Sequence, residues 1–217
     1  MTPPSRAPGA PSARQDWAAL ARRLTPLIRS RLRPKRLRHT LGVARTARDL
    51  ALSQGLDPAK AGLAGLLHDC AKGLDRGESE RLLKRLRLDP LERALPALWH
   101  APLGALLARS LYGIQDREIL EAIRFHSTGS PRLGALGRIL YVADFIEPGR
   151  DFPGLGRLRR LARENFSKAL KGVVAGKISF LAQKGMRIHP VSVQFYNSLL
   201  ESGSKIPPKS PVKTIPK

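Results

Sequence analysis

Apolar side chains recur at three- and four-residue steps nearly everywhere between residues 15 and 202, and no β-branched run alternates apolar with polar over the length of a strand. That spacing predicts an all-α domain over residues 15–202. A first helix is expected over residues 16–32, interrupted or kinked near Pro26, and a second runs from Pro34 to a cap at Gly55. Asp57 and Pro58 form an N-cap and first-turn pair opening a helix through Leu63, Leu66 and Leu67 that stops at Gly73. Residues 78–88 read as a basic amphipathic helix covering the core, and His100 stands at the entry of another. Asp116 caps a helix on which Ile119, Ile123 and His126 share a face, ended by Gly129. Over residues 133–147 a stripe of Leu133, Gly137 and Leu140 finishes at Asp144, and Pro148 terminates the helix. Residues 155–183 read as one long helix, and a last one starts at Pro190. The flanks carry no such period: residues 1–14 are rich in Pro, Ala and Ser and residues 203–217 in Pro and Lys, so both are expected to be disordered tails.

Composition narrows this picture. The chain has 217 residues and is 42% hydrophobic, enough for one good core. Its single cysteine, Cys70, excludes an internal disulfide and, on an apolar helix without a partner thiol, reads as a small buried hydrophobe. No apolar run is long enough to span a bilayer, so a protein away from the membrane, in the cytoplasm, is expected. A formal charge of +22 favours anionic partners without specifying one. The cations are spread along the chain with few aromatics between them, which fits weak nucleic-acid contact through the basic tails better than a dedicated base-stacking groove.

The chemistry lies in the polar residues that end apolar stripes. Four of the five histidines, His39, His68, His100 and His126, fall in order along the chain, with Asp69 beside His68 and Asp144 downstream. Burying several such groups together costs several kcal/mol each unless a cation gathers them. His39, His68, Asp69 and Asp144 are therefore read as ligands of a divalent metal, and Asp69 has a second oxygen that can bridge to another ion flanked by His100 and His126. Mixed imidazole and carboxylate donors suit iron, manganese or zinc better than magnesium or calcium. Such an ion lowers the pKa of bound water from 15.7 to about 7 and so supplies the nucleophile of a hydrolase. Lys72, one turn beyond the dyad, is cast with Asp69 as catalytic, supporting phosphate oxygens, while Arg36 and Arg150 are candidates for phosphate contacts.

The order His39, His68-Asp69, Asp144 resembles the HD-domain metal-dependent phosphohydrolases. The strings His68-Asp69-Cys70-Ala71-Lys72, His126-Ser127-Thr128-Gly129 and Tyr141-Val142-Ala143-Asp144-Phe145-Ile146-Glu147-Pro148-Gly149-Arg150 are similar to the bacterial symmetrical bis(5'-nucleosyl)-tetraphosphatases. The resemblance covers roughly residues 35–200 and implies an HD-type helical bundle, bound iron, mono- or dinuclear, and cleavage of diadenosine tetraphosphate into two ADP. Carried over by position, His39, His68, Asp69 and Asp144 hold metal, and Arg36, His100, His126, Ser127 and Arg150 contact nucleotide phosphates. His100 and His126 are assigned either to phosphate or to a second metal. Ser127 departs from the family pattern, which has Thr there. The implied partner is a dinucleoside polyphosphate, and a homodimer is compatible with the resemblance. The readings left open are an HD-type nucleotidase or phosphodiesterase acting on another nucleotide, and an RNA- or ribosome-associated binding protein with an HD core.

Overall fold

The computed structural model describes residues 16–201, all of whose regular structure is helical. The tails expected at residues 1–14 and 203–217 lie outside the described residues. Eleven α-helices succeed one another among the described residues: α1 Trp17–Arg31, α2 Pro34–Ser53, α3 Pro58–Leu67, α4 Arg76–Leu83, α5 Pro90–Ala94, α6 His100–Ser110, α7 Arg117–Phe125, α8 Ala135–Ile146, α9 Leu155–Glu164, α10 Phe166–Gln183 and α11 Pro190–Glu201. Two single 3-10 turns, Cys70–Gly73 and Pro96–Leu98, stand before α4 and α6. No helix among the described residues is long and apolar enough to cross a membrane.

The centre of the bundle is α3, which packs on α1, α2, α7 and α8. Its sequence explains that place, because beyond Lys60 it holds only Ala, Gly and Leu and everything from Ala61 to Leu67 is buried. Small residues bring α2 close: a Cβ on Gly65 would lie 2.7 Å from the Ala44 Cα. The core then runs continuously from Leu20 on α1 to Leu199 on α11.

Helix starts are set by polar caps. Asp16, Asp57, Asp75, Asp89, Asp116 and Asn165 each accept a hydrogen bond from a backbone N–H of the adjoining helix, an arrangement worth about 1 kcal/mol per cap. Five of the 17 acidic residues are thus spent on caps, which leaves the exposed faces to Lys and Arg.

Four expectations are corrected. The tract 155–183 is two helices, because Asn165 leaves the helical region at φ −153° and ψ 84° and caps α10 through the Lys168 N–H. The helix opened by Pro58 ends at Leu67, and Asp69, at φ −107° and ψ 16°, separates it from the 3-10 turn, so the dyad lies just past the helix. The segment 78–88 is helical only to Leu83, and the short α5 has too little periodicity to be read from sequence. The first helix is not interrupted at Pro26 but runs unbroken through it.

Candidate metal centre

Five segments deliver the polar cluster: His39 from α2, His68 and Asp69 after α3, His100 from the start of α6, His126 and Ser127 after α7, and Asp144 from the end of α8. Asp69 is their meeting point. Its Oδ2 lies 3.9 Å from His39 Nε2 and 3.5 Å from His68 Nε2, and its Oδ1 lies 3.7 Å from both His100 Nε2 and His126 Nε2. Asp144 Oδ1 is 3.2 Å from His39 Nε2. Two candidate ligand groups result, His39 with His68 and Asp69, and His100 with His126 and Asp69.

The imidazoles are oriented from behind. Nδ1 of His68, His126 and His100 faces the carbonyl of Gly65, Ile123 and Ala97 at 2.7, 2.7 and 2.9 Å, each three residues back. A carbonyl only accepts, so each Nδ1 carries a proton, which leaves Nε2 of each ring, when the ring is neutral, as a bare lone pair facing the centre. His39 is held by Glu147, whose Oε1 is 3.1 Å from its Nδ1. Gly42 makes room for that contact, since a Cβ there would overlap the Glu147 carboxylate. The inward atoms are left unsatisfied: Nε2 of His39 and of His68 are buried with no aligned hydrogen bond. His100 Nε2 and His126 Nε2 face each other at 3.1 Å, two acceptors that repel unless a cation or proton lies between them. The Ser127 hydroxyl, 2.9 and 3.2 Å from those nitrogens, has one proton and satisfies only one. Orphaned nitrogen donors around a two-oxygen carboxylate are what a divalent metal site requires, and these residues fit one.

Burial and neighbouring charge favour neutral His68 and His100 and ionised Asp69 and Asp144. Burial drops the His68 pKa to about 4, and burial with the nearby His126 and Lys72 pushes His100 well below its ordinary value. Burial raises the carboxyls of Asp69 and Asp144, but their neighbours outweigh it: the surrounding histidines hold Asp69 well below the usual range, and the Lys177 ammonium with His39 does the same for Asp144. For His39, burial opposes charging, but Asp144 and Glu147 prevail and raise it.

Every candidate residue except Lys72 makes a contact within this cluster. Arg36 Nη1 donates to Asp69 Oδ2 at 2.7 Å and Arg150 Nη2 to Asp144 Oδ1 at 2.9 Å, so both guanidiniums neutralise the carboxylates, and each side chain remains about two-fifths exposed. Lys72 lies in the 3-10 turn, exposed, without an ion pair among the described residues. Sequence reasoning missed two members. Glu147 lies inside the string around Asp144, where its position alone signals no role. Lys177 reaches in from α10 with Nζ 3.4 Å from Asp144 Oδ2, 3.2 Å from the His126 carbonyl and 3.8 Å from the Tyr141 ring centre. A lysine one turn beyond the buried Val173 and Val174 was the available signal.

A third group, Asp89, Glu92 and His189, has the same residue types. Both Glu92 oxygens are taken by Arg124 at 2.7 and 2.6 Å, and Asp89 caps α5 and pairs with His189 at 2.9 Å. These bonds are a structural clasp.

The HD domain family matches residues 36–149. A symmetrical bis(5'-nucleosyl)-tetraphosphatase of Halalkalibacterium halodurans is 39% identical over 175 residues, 80% of this chain and 94% of the relative. One from Bacillus subtilis is 39% identical over 178 residues, 82% of this chain and 95% of the relative. In a crystal structure from Clostridium acetobutylicum, a predicted HD superfamily hydrolase involved in NAD metabolism superposes with a TM-score of 0.79 at 37% identity, covering 83% of this chain and 97% of that one. An HD domain implies divalent metal binding, in keeping with the His and Asp cluster. With its motif residues converging on Asp69, the chain belongs to the HD-domain family, alongside the symmetrical bis(5'-nucleosyl)-tetraphosphatases.

Proposed function

We propose that the protein hydrolyses diadenosine tetraphosphate symmetrically, giving two ADP, at a centre held by His39, His68, Asp69 and Asp144 on one side and Asp69, His100 and His126 on the other. The carrying observation is the convergence of four Nε2 atoms on the two oxygens of Asp69, in a chain that aligns with symmetrical tetraphosphatases over more than nine-tenths of their length. The nitrogen-rich donors favour iron, with manganese and zinc the chemical alternatives, and the sharing of Asp69 between two groups favours a dinuclear site. When bound, the metal supplies a Lewis acid and a water acidified from pKa 15.7 to about 7.

The remaining work falls to this chain's side chains. Arg36 and Arg150 each spend one N–H on a carboxylate and keep further donors for phosphate oxygens on their exposed side. Ser127 lies against the His100 and His126 half-site with a hydroxyl able to turn toward an oxyanion, and the exposed Lys72 adds a charge at the rim. Lys177 and Glu147 lie behind, fixing Asp144 and His39. Together these cations neutralise the phosphate chain and orient it so that water attacks the second phosphorus from the first nucleoside, opposite the leaving oxygen. One water O–P bond forms, the central P–O–P bond breaks, and two ADP leave.

Chromatography of products from diadenosine tetraphosphate tests the reading: ADP as the only nucleotide is expected, and ATP with AMP would overturn it. Elemental analysis tests the centre. Asp69→Ala, which removes the shared ligand, should lower metal content by roughly tenfold or more; wild-type content in that variant would refute the ligand assignment.

A further inference from the structure

The residues placed so far account for phosphates and leave the nucleosides without walls. Next to His100 along the chain, Trp99 lines a cleft of about 250 Å³ bounded also by Leu74, Asp75, Arg76, Ser79 and Pro96. Its volume equals about eight waters at ~30 Å³ each, comparable to the ten heavy atoms of adenine. Both walls continue from the centre along the chain. Trp99 directly precedes His100, and Leu74 is two residues past Lys72, so its Cα is within about 7.6 Å of the lysine Cα.

Lining chemistry matches a base. Trp99 Nε1 donates to the carbonyls of Glu92 and Arg93, both at 3.1 Å, which fixes the indole and engages its polar edge, leaving ring carbon surface for the cleft. Leu74 and Pro96 add apolar walls. Asp75 uses Oδ1 to accept the Glu78 N–H at 2.8 Å, while no hydrogen bond to its Oδ2 is made among the described residues. That oxygen is an open acceptor facing the apolar walls of Leu74, Pro96 and Trp99. Arg76 is turned to Glu80 at 2.8 Å and so does not neutralise it.

We infer that this cleft binds one of the two nucleosides of the substrate, its base against Trp99 and its exocyclic amine toward Asp75. The inference rests on the hydrolase reading for the identity of the substrate, but the binding site can be tested without turnover. The chain has two tryptophans, so a Trp17→Phe protein reports on Trp99 alone. Adenosine monophosphate should quench its emission in the metal-loaded protein and ribose 5-phosphate should not. Ser79→Phe should fill the cleft from the opposite wall, and because stacking is worth ~1–3 kcal/mol per base it should raise KM for diadenosine tetraphosphate roughly 5- to 150-fold at native metal content. Unchanged emission with adenosine monophosphate, or a native KM in Ser79→Phe, would overturn the inference. Quenching in a protein that fails to produce ADP would uphold the cleft as a nucleotide site and remove only the tetraphosphatase reading.

Discussion

Glu92→Gln tests how firmly the His100 and His126 half-site is braced. Glu92 is 6% exposed in its side chain and meets Arg124, 24% exposed, through two bonds of 2.7 and 2.6 Å. Arg124 lies on α7 two residues before His126, while the Glu92 backbone carbonyl receives the Trp99 indole N–H next to His100. Losing one partner of a buried pair costs ~3–5 kcal/mol because the other charge is left without compensation. Arg124 keeps some contact with water, so the lower end, about 3 kcal/mol, applies here. For a domain of this size each kcal/mol moves Tm by ~2–4 °C, so the variant should melt roughly 6–12 °C below wild type. Circular dichroism at 222 nm gives the melting curve. The double change Glu92→Met with Arg124→Leu should recover most of the loss, because it leaves no buried charge behind. A Tm within ~2 °C of wild type for Glu92→Gln would refute the idea that this pair braces the half-site.

The same geometry sets three other expectations. In metal-stripped protein the His68 pKa of about 4 lies below its ordinary 6.5, so the unfolded chain binds a proton that the fold refuses, and stability present above pH ~6.5 is lost as pH falls toward ~4, by roughly 3 kcal/mol at most. The raised His39 offsets part of this loss, and a Tm that is flat or rises on acidification across that window would refute the account. Cys70, buried and with its pKa pushed up to about 12, should resist iodoacetamide at pH 8 until the protein unfolds; fast alkylation of the native protein would contradict it. Gly42→Ala should displace Glu147 from His39 and weaken metal retention against a chelator by about tenfold, whereas unchanged retention would show that Glu147 does not orient that ligand.

The all-helical class was legible in the sequence because every long element has one apolar stripe, and the cap residues Asp57, Asp116 and Pro148 mark their limits in plain view. The polar cluster was legible because His and Asp ending an apolar stripe have no inexpensive explanation, and the structure brings His39, His68, Asp69, His100, His126 and Asp144 together. Elements governed by a single backbone choice were not: Asn165 divides a continuous helical pattern because its side chain caps α10, and nothing in the spacing of Leu161, Ala169 and Leu170 announces that. Partners that come from distant sequence were also hidden. Lys177 lies 33 residues from Asp144 and reads as an ordinary surface lysine until α10 is folded against α8.

The break after α3 explains why an adjacent His and Asp can serve one centre. On a continuous helix, neighbours point about 100° apart and do not face each other. Here His68 still has helical dihedrals, φ −55° and ψ −37°, which keeps its Nδ1 within reach of the Gly65 carbonyl and aims Nε2 inward. Asp69 departs to φ −107° and ψ 16°, and its carboxylate turns to the same side, with Oδ2 3.5 Å from His68 Nε2. The adjoining 3-10 turn, closed by the bond from the Lys72 N–H to the Asp69 carbonyl, then carries Lys72 to the surface near Arg36. A substitution that extended α3 through residue 70 would therefore separate the two ligands even with both side chains intact. Replacing Gly73 does this indirectly, since a Cβ there would overlap the Arg31 carbonyl and force the turn off α1. Gly73→Val should lower metal content with the ligands unchanged. Native metal content in a folded Gly73→Val protein would show that the turn does not control the dyad.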